Sequence, residues 1–277
     1  MTLSGASPSR LFFWVFMILA QIGGFILFKD LADISQWWVQ SDRDFTMSVW
    51  YKRWPLTIVT LLALASCIFL WRRDRNLMSG VGLSALVALC LFNGYTGMLN
   101  TGFMFRPQQH EAMFVSVEEA PQFLQQMLHA SYGDKPFTDV DEISVVVLET
   151  DEGAKAYTDY YMLQPHVIQG GSINGEEVIM TYCGLTNMGI AYSPVINGEP
   201  LELRAITQLR NNLVMADVNT GEPIQQMWGT LERDGEHGPA MQQWPTLRMP
   251  FGSFRELFPE GEVYVNGIEQ QSDNPLV

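Results

Sequence analysis

Apolar residues are distributed along this chain in two regimes. Up to about residue 100 they form long unbroken runs, and beyond it they form short runs divided by turn residues. Leu11–Phe28 contains one amide, Gln21, and no charge; Pro55–Trp71 and Leu77–Tyr95 are also uncharged. An α-helix rises 1.5 Å per residue, so each run approaches the roughly 20 residues that cross a bilayer. The pattern predicts three transmembrane helices, at about 11–28, 55–71 and 77–97, within an anchor spanning residues 1–100. Leu11–Phe28 follows Arg10 as a signal core would. It is longer than a cleaved core, and no small-x-small site follows Phe28, so we read it as an uncleaved anchor. Gly80, Gly82, Ser84 and Ala85 of the third run are small enough for close helix packing, within the chain or with other membrane subunits.

After a polar linker, Asn100–Glu111, the period changes. Ser116 and Glu119 have capping-box spacing, and Phe123, Leu124, Met127 and Leu128 form a helical stripe. This predicts a helix to about His129, with Pro121 in its first turn. Strand signals then dominate: Ile143–Glu149, Glu177–Cys183, Gly189–Tyr192, Leu201–Leu209, Leu213–Asp217 and Glu262–Val265, with a short helix at Phe254–Phe258. Asn174-Gly175 and Asn197-Gly198 are hairpin signals, and Asn219-Thr220-Gly221 is a turn. The fold class is α+β: an N-terminal three-helix transmembrane anchor, then a β-dominated soluble domain, an antiparallel sheet or barrel, over residues 101–277.

Charge separates the same two regions. The chain has 16 basic and 30 acidic side chains, but residues 101–277 hold eight basic and 25 acidic ones. Such a domain repels nucleic-acid phosphates, so no nucleic-acid partner is expected; the partners are the lipid bilayer and other membrane proteins. Arg72, Arg73 and Arg75 crowd the short loop between the second and third runs, and the positive-inside rule keeps such a loop cytoplasmic. Everything after about residue 100 is then extracytoplasmic. Lys29, Arg43, Lys52 and Arg53 on the outer loop oppose that assignment; Asp30, Asp33, Asp42 and Asp44 offset them in charge, although acids count little in this rule. Trp37, Trp38, Trp50, Trp54 and Trp71 fall near the expected membrane boundaries, and "ISQWWVQ" (34–40) is expected on the outer face.

The chain has three cysteines. Cys67 and Cys90 fall in membrane runs as small apolar residues. Cys183, in "TYCGLTNMG", has no second cysteine in the soluble region, which excludes a disulfide and a CxxC couple there, and the ligands of a four-Cys or two-Cys-two-His zinc site are missing. His110 and Met113, His237 in "RDGEHGP", and Gly170-Gly171, which lacks a nucleotide-loop context, carry weaker signals.

"VVVLETDEGAKAY" (145–157), His166, "VIMTYCGL" (178–185), "LRNNLVMADVNTGEPIQQMWG" (209–229) and "FRELFPEGEVYV" (254–265) occur in that order. Over about residues 140–266 the chain resembles a bacterial and archaeal family, domain of unknown function thirty-one seventy-nine. Members read roughly Ala-Tyr-Pro, His-Glu-Ile-Val-Asn-Asp, Thr-Tyr-Cys-Pro-Leu-Cys, an Asn-rich block and a late Phe-Pro motif. Here Thr158 replaces the proline, Val167-Ile168-Gln169-Gly170 replaces the polar neighbours of the histidine, and Thr186 stands at the second cysteine. The chain is thus an outlying member that keeps His166, Cys183, Arg210 and Asn211. With the family's bacterial range, the three apolar runs and the arginine loop predict a multi-pass protein of the bacterial inner membrane, its C-terminal domain facing the periplasm or exterior.

Three readings of the retained residues stand open. In one, His166, Cys183 and Met188 hold a soft metal such as copper. In another, His166 activates Cys183 as a nucleophile while Arg210 holds an anionic small substrate. In the third, Cys183 is a buried small hydrophobe, and His166 and Arg210 tie strands together. The expected role is an envelope or membrane-complex component carrying the copper site at His166 and Cys183, with the thiol enzyme as the alternative.

Overall fold

A computed structural model describes residues 8–32, 42–104, 112–129, 137–163, 165–209 and 212–265. The chain divides into two compact units: residues 1–105 with 207–210, and the remainder. "ISQWWVQ" with Trp37 and Trp38, His110, Arg210 and Asn211 lie outside the described residues.

The first unit contains α1 (Pro8–Leu31), α2 (Arg43–Tyr51), α3 (Arg53–Arg73) and α4 (Gly80–Met104). Three segments are long and apolar enough to cross a membrane: Pro8–Leu31, Arg53–Arg73 and Gly80–Met98. They mark the chain as membrane-associated, and Ile18, Leu62 and Phe69 are more than half exposed, as lipid-facing residues are. α4 continues through Asn100–Met104, where the sequence suggested a linker; no proline interrupts the backbone before Pro107.

Lipid tails are as apolar as leucine, so these helices associate through close packing and polar ties. α1 packs on both α3 and α4. A Cβ on Gly23 would fall 2.1 Å from Thr60 Oγ1 of α3, and one on Gly97 of α4 would fall 2.3 Å from the Leu27 carbonyl oxygen. These glycines, rather than Gly80 and Gly82, make the tight crossings; the atoms nearest Gly82 belong to Ser79 and Met78. Gln21 donates to the Leu86 carbonyl at 2.8 Å. The Cys67 and Cys90 thiols donate to the carbonyls of Phe13 (3.5 Å) and Ala20 (3.3 Å), so both brace α1 as well as fill space. At the arginine loop, Arg75 stacks on Trp71 at 4.1 Å, and Trp71 Nε1 donates to the Met78 carbonyl.

After the long helices come strands β1 (Phe114–Ser116), β2 (Ser144–Thr150), β3 (Gly153–Thr158), β4 (Val167–Ile173), β5 (Glu176–Cys183), β6 (Met188–Tyr192), β7 (Val195–Ile196), β8 (Glu199–Pro200), β9 (Leu203–Leu209), β10 (Asn212–Asp217), β11 (Pro223–Gln225), β12 (Gln243–Trp244), β13 (Leu247–Pro250) and β14 (Glu262–Tyr264), which form the second unit except for the end of β9 from Thr207. Three short helices join them: α5 (Ala120–Leu124), α6 (Asp159–Met162) and α7 (Phe251–Leu257). The sheets run β1-β14-β3-β2-β13, β12-β6-β5-β4, β11-β10-β9 and β7-β8. Hairpins β2–β3, β4–β5 and β5–β6 are antiparallel, and β14 lies parallel to β3. The domain is therefore layered sheets with short helices rather than one closed barrel.

The first core gathers residues from both faces of the first sheet, from the second sheet and from the helices packed on them. Val145, Val146, Val147 and Leu148 of β2 are buried there with Ile168, Val178, Met180 and Tyr182, joined by Leu124, Phe251 and Phe254 from the helices. Burying each such side chain contributes roughly 1.5–3 kcal/mol. The Asn-Gly hairpins form as predicted: Asn174 and Gly175 have φ 55° and 76°, Asn197 and Gly198 54° and 81°, the positive values of a type I′ turn. Asp151 accepts from the backbone N–H of Asn174 (3.0 Å) and Gly175 (2.9 Å), and the Gly175 and Asn174 bonds hold its carboxyl below the usual range. Gly170-Gly171 forms a bulge in β4, with Gly171 at φ 99°.

The capping pair also forms, since Ser116 and Glu119 bond reciprocally. The helix expected over 116–129 is shorter, however. Ser116 ends β1, α5 begins at Ala120 with Pro121 in its first turn, and Gln125–His129 tightens into a 3₁₀ turn. Pairing of β1 with β14 outweighs the helical stripe at that end.

Candidate functional site

The candidate residues gather around β5, whose two faces differ because side chains alternate along a strand. Val178, Met180 and Tyr182 enter the first core. Thr181 lies on the other face: Gln226 Nε2, just after β11, donates to Thr181 Oγ1 (3.0 Å) and to the Met188 carbonyl (3.1 Å). Tyr192 OH donates to the Gln226 carbonyl on the same side. Gln226 thereby ties the third sheet's edge to β5 and β6. Sequence reasoning missed it; the signal was the polar pair Gln225-Gln226 inside an otherwise apolar stretch, both side chains being buried.

Cys183 ends β5, as expected, and alternation places it on the Thr181 face. It is fully buried and stands opposite Met188 in the β5–β6 register. Met188 is half-buried. The loop between them, Gly184–Asn187, is fixed from outside the hairpin. Asn187 has φ 52°, and Arg248 of β13 donates to both its carbonyl and its side-chain oxygen at 3.0 Å. Arg248 also grips Asp159 of α6 with two bonds of 2.9 Å and donates to Ser144 Oγ at 3.1 Å. Tyr182 OH donates to Asn187 Oδ1 at 3.0 Å. One guanidinium thus joins β13, β2, α6 and the loop after Cys183, although its sequence neighbourhood, "PTLRMP", carried no motif.

Thr186, where the resembled family has its second cysteine, holds a buried hydroxyl with no hydrogen-bond partner among the described residues.

His166 lies just before β4, level with Tyr182. Tyr182 N–H donates to the His166 carbonyl at 2.8 Å, and His166 Nδ1 sits 3.0 Å from the Tyr182 carbonyl. A carbonyl only accepts, so Nδ1 carries the proton and Nε2 carries the lone pair. Burial pushes this imidazole down to about 4, against the opposing effect of the Tyr182 bond, so the ring is neutral at pH 7. The register puts His166 level with the residue before Cys183, whose side chain takes the opposite face from Tyr182. Cys183 and Met188 are therefore brought together directly, whereas His166 is linked to Cys183 through the Tyr182 backbone.

Among the described residues no three His, Cys, Asp or Glu side chains cluster to hold a metal ion. His237 is exposed beside Glu236.

No curated protein and no solved structure matches the chain. A family model described as "Protein of unknown function (DUF3179)" matches residues 114–274, more than half of the chain. The match begins at β1, earlier than the motifs alone indicated, in keeping with the pairing of β1 and β14 in one sheet. With His166, Cys183 and the β5–β6 hairpin inside the matched span, the chain belongs to this DUF3179 family.

Proposed function

We propose that this protein is a membrane-anchored, extracytoplasmic component of the bacterial envelope whose β-rich domain binds Cu(I) between the sulfurs of Cys183 and Met188. The observation that carries the reading is the direct pairing of these residues across β5 and β6. Opposed residues in an antiparallel ladder have Cβ atoms about 4.5–5.5 Å apart, close enough for two side chains to converge on one ion. A thiolate and a thioether are soft ligands that suit Cu(I). Cys183 is shielded from solvent, while half-buried Met188 provides the approach. His166 is not required as a ligand in this reading; its Nδ1 bond to Tyr182 positions the end of β5.

The extracytoplasmic placement rests on Arg72, Arg73 and Arg75 between the second and third spans. The alternative thiol enzyme acting on an anionic substrate is less well supported, because full burial of Cys183 would require the loop to open before any substrate reached the sulfur.

The deciding experiment is Cu(I) competition against a colorimetric chelator, using the full chain in detergent under reducing conditions. One tightly held copper per chain is expected. Cys183→Ser should abolish it, since a hard hydroxyl replaces the thiolate. Met188→Leu should weaken it less, and His166→Gln should leave it nearly unchanged. Equal copper in wild type and Cys183→Ser would overturn the proposal.

A further inference from the structure

Within the first unit a cavity of about 460 Å³ opens at the membrane end remote from the arginine loop. Its walls include Leu27 of α1, Trp50 of α2, Arg53 and Trp54 at the start of α3, and Leu91 and Tyr95 of α4. The volume lies in the roughly 300–1,000 Å³ range of small-molecule sites. Two features distinguish it from an ordinary lipid-facing groove.

The first is charge. Among the described lining residues Arg53 is the single cation, and no carboxylate joins it. The nearby acid Asp30 is engaged elsewhere, accepting from Thr46 Oγ1 at 2.9 Å with Lys29 Nζ at 3.5 Å. The second is preorganisation. Arg53 folds back so that one donor meets the Trp50 carbonyl at 2.7 Å and its guanidinium stacks on the Trp50 ring at 3.6 Å. A guanidinium has five donors, so the rest of the fork remains available at the cavity wall. Arg53 opens its helix at the level where lipid headgroups lie, and the planar fork matches a phosphate in two-point contact.

We infer that the cavity binds an anionic phospholipid of the bilayer, with one acyl chain against Leu27, Leu91 and Tyr95 and the phosphate on Arg53. The site is independent of Cys183 and of the copper reading.

The test uses the full chain, purified in mild detergent, stripped of lipid, and offered phosphatidylglycerol or phosphatidylcholine with identical acyl chains. Native mass spectrometry reads the retained lipid. Phosphatidylglycerol should be retained at one molecule per chain, about tenfold more tightly than phosphatidylcholine, equivalent to ~1.4 kcal/mol. Arg53→Gln should erase that preference, and Arg53→Lys should keep part of it. If Arg53→Gln loses its helical circular dichroism, Gly94→Leu decides instead. Gly94 lines the cavity with its nearest neighbour, Leu27 Cδ1, 4.0 Å from an added Cβ, so the larger side chain fills the space and should expel lipid with Arg53 intact. Equal retention of both lipids by the wild type, or undiminished phosphatidylglycerol binding in both variants, would overturn the inference and leave only annular lipid.

Discussion

Cys183 and Met188 face each other where β5 and β6 part, the thiol fully buried and the thioether half-buried. The loop they flank is held by Arg248 and Tyr182 through Asn187, so access to the sulfur is set by packing and by that anchor. Iodoacetamide should accordingly modify the Cys183 peptide slowly in native protein and rapidly once denaturant opens the domain, with peptide mass spectrometry separating it from Cys67 and Cys90. Fast modification at neutral pH in the native state would instead favour the nucleophile reading.

His166 gives a pH dependence whose sign follows from burial. The folded ring is lowered to about 4, below the ~6.5 of an unfolded histidine. Between those values the unfolded chain takes up a proton that the native state refuses, so stability rises with pH across this window and is fully present above it. The swing is on the order of 1–3 kcal/mol. Asp151, held below its usual range, acts at lower pH, which leaves pH 5–6.5 to report on His166. Urea unfolding of wild type and His166→Gln at several pH values should show the slope flattened in the variant. Parallel curves would mean that His166 titrates normally when folded.

The Arg248–Asp159 fork should be worth more than a surface pair and less than a buried one. The two side chains are 34% and 18% exposed, so solvent still screens the interaction. A double-mutant cycle with Arg248→Ala and Asp159→Asn should give a coupling of about 1 kcal/mol. Arg248→Lys should cost nearly as much as Arg248→Ala, because an ammonium cannot hold Asp159 and both Asn187 oxygens at once. Zero coupling would reduce the fork to an incidental contact.

Topology can be read directly. With the arginine loop cytoplasmic, a reporter that is active only in the cytoplasm should be silent when fused after Val277 and active when inserted beside Asn76. The reverse pattern would invert the anchor and remove the extracytoplasmic placement.

The elements legible in the sequence were those whose cause is local. Three long apolar runs became helices long and apolar enough to cross a membrane, because a helix satisfies its own backbone polar groups. The Asn-Gly pairs had to become hairpins, because they tolerate positive φ, and β2 and β5 were visible as buried β-branched or apolar runs. β3 (GAKAYT), β4 (VIQGGSI) and β13 (LRMP) were not visible, since small, polar or charged residues break their pattern and their pairing partners alone make them strands. The parallel contact of β14 with β3 joins residues more than 100 apart, which no local period encodes.

The candidate site divides in the same way. The sequence by itself marked Cys183, Met188 and His166 and determined that the cysteine closes a strand before a turn. The five-residue spacing across that turn already let both sulfurs reach one point, as the hairpin register has them. Tertiary structure alone decided that His166 bonds the Tyr182 backbone, and that Gln226 and Arg248, distant in sequence, hold the two sides of the hairpin. The reason is physical: which face a side chain takes follows from strand alternation, but what meets it there depends on sheets stacked by burial of apolar area, a non-directional force that leaves no local signature along the chain.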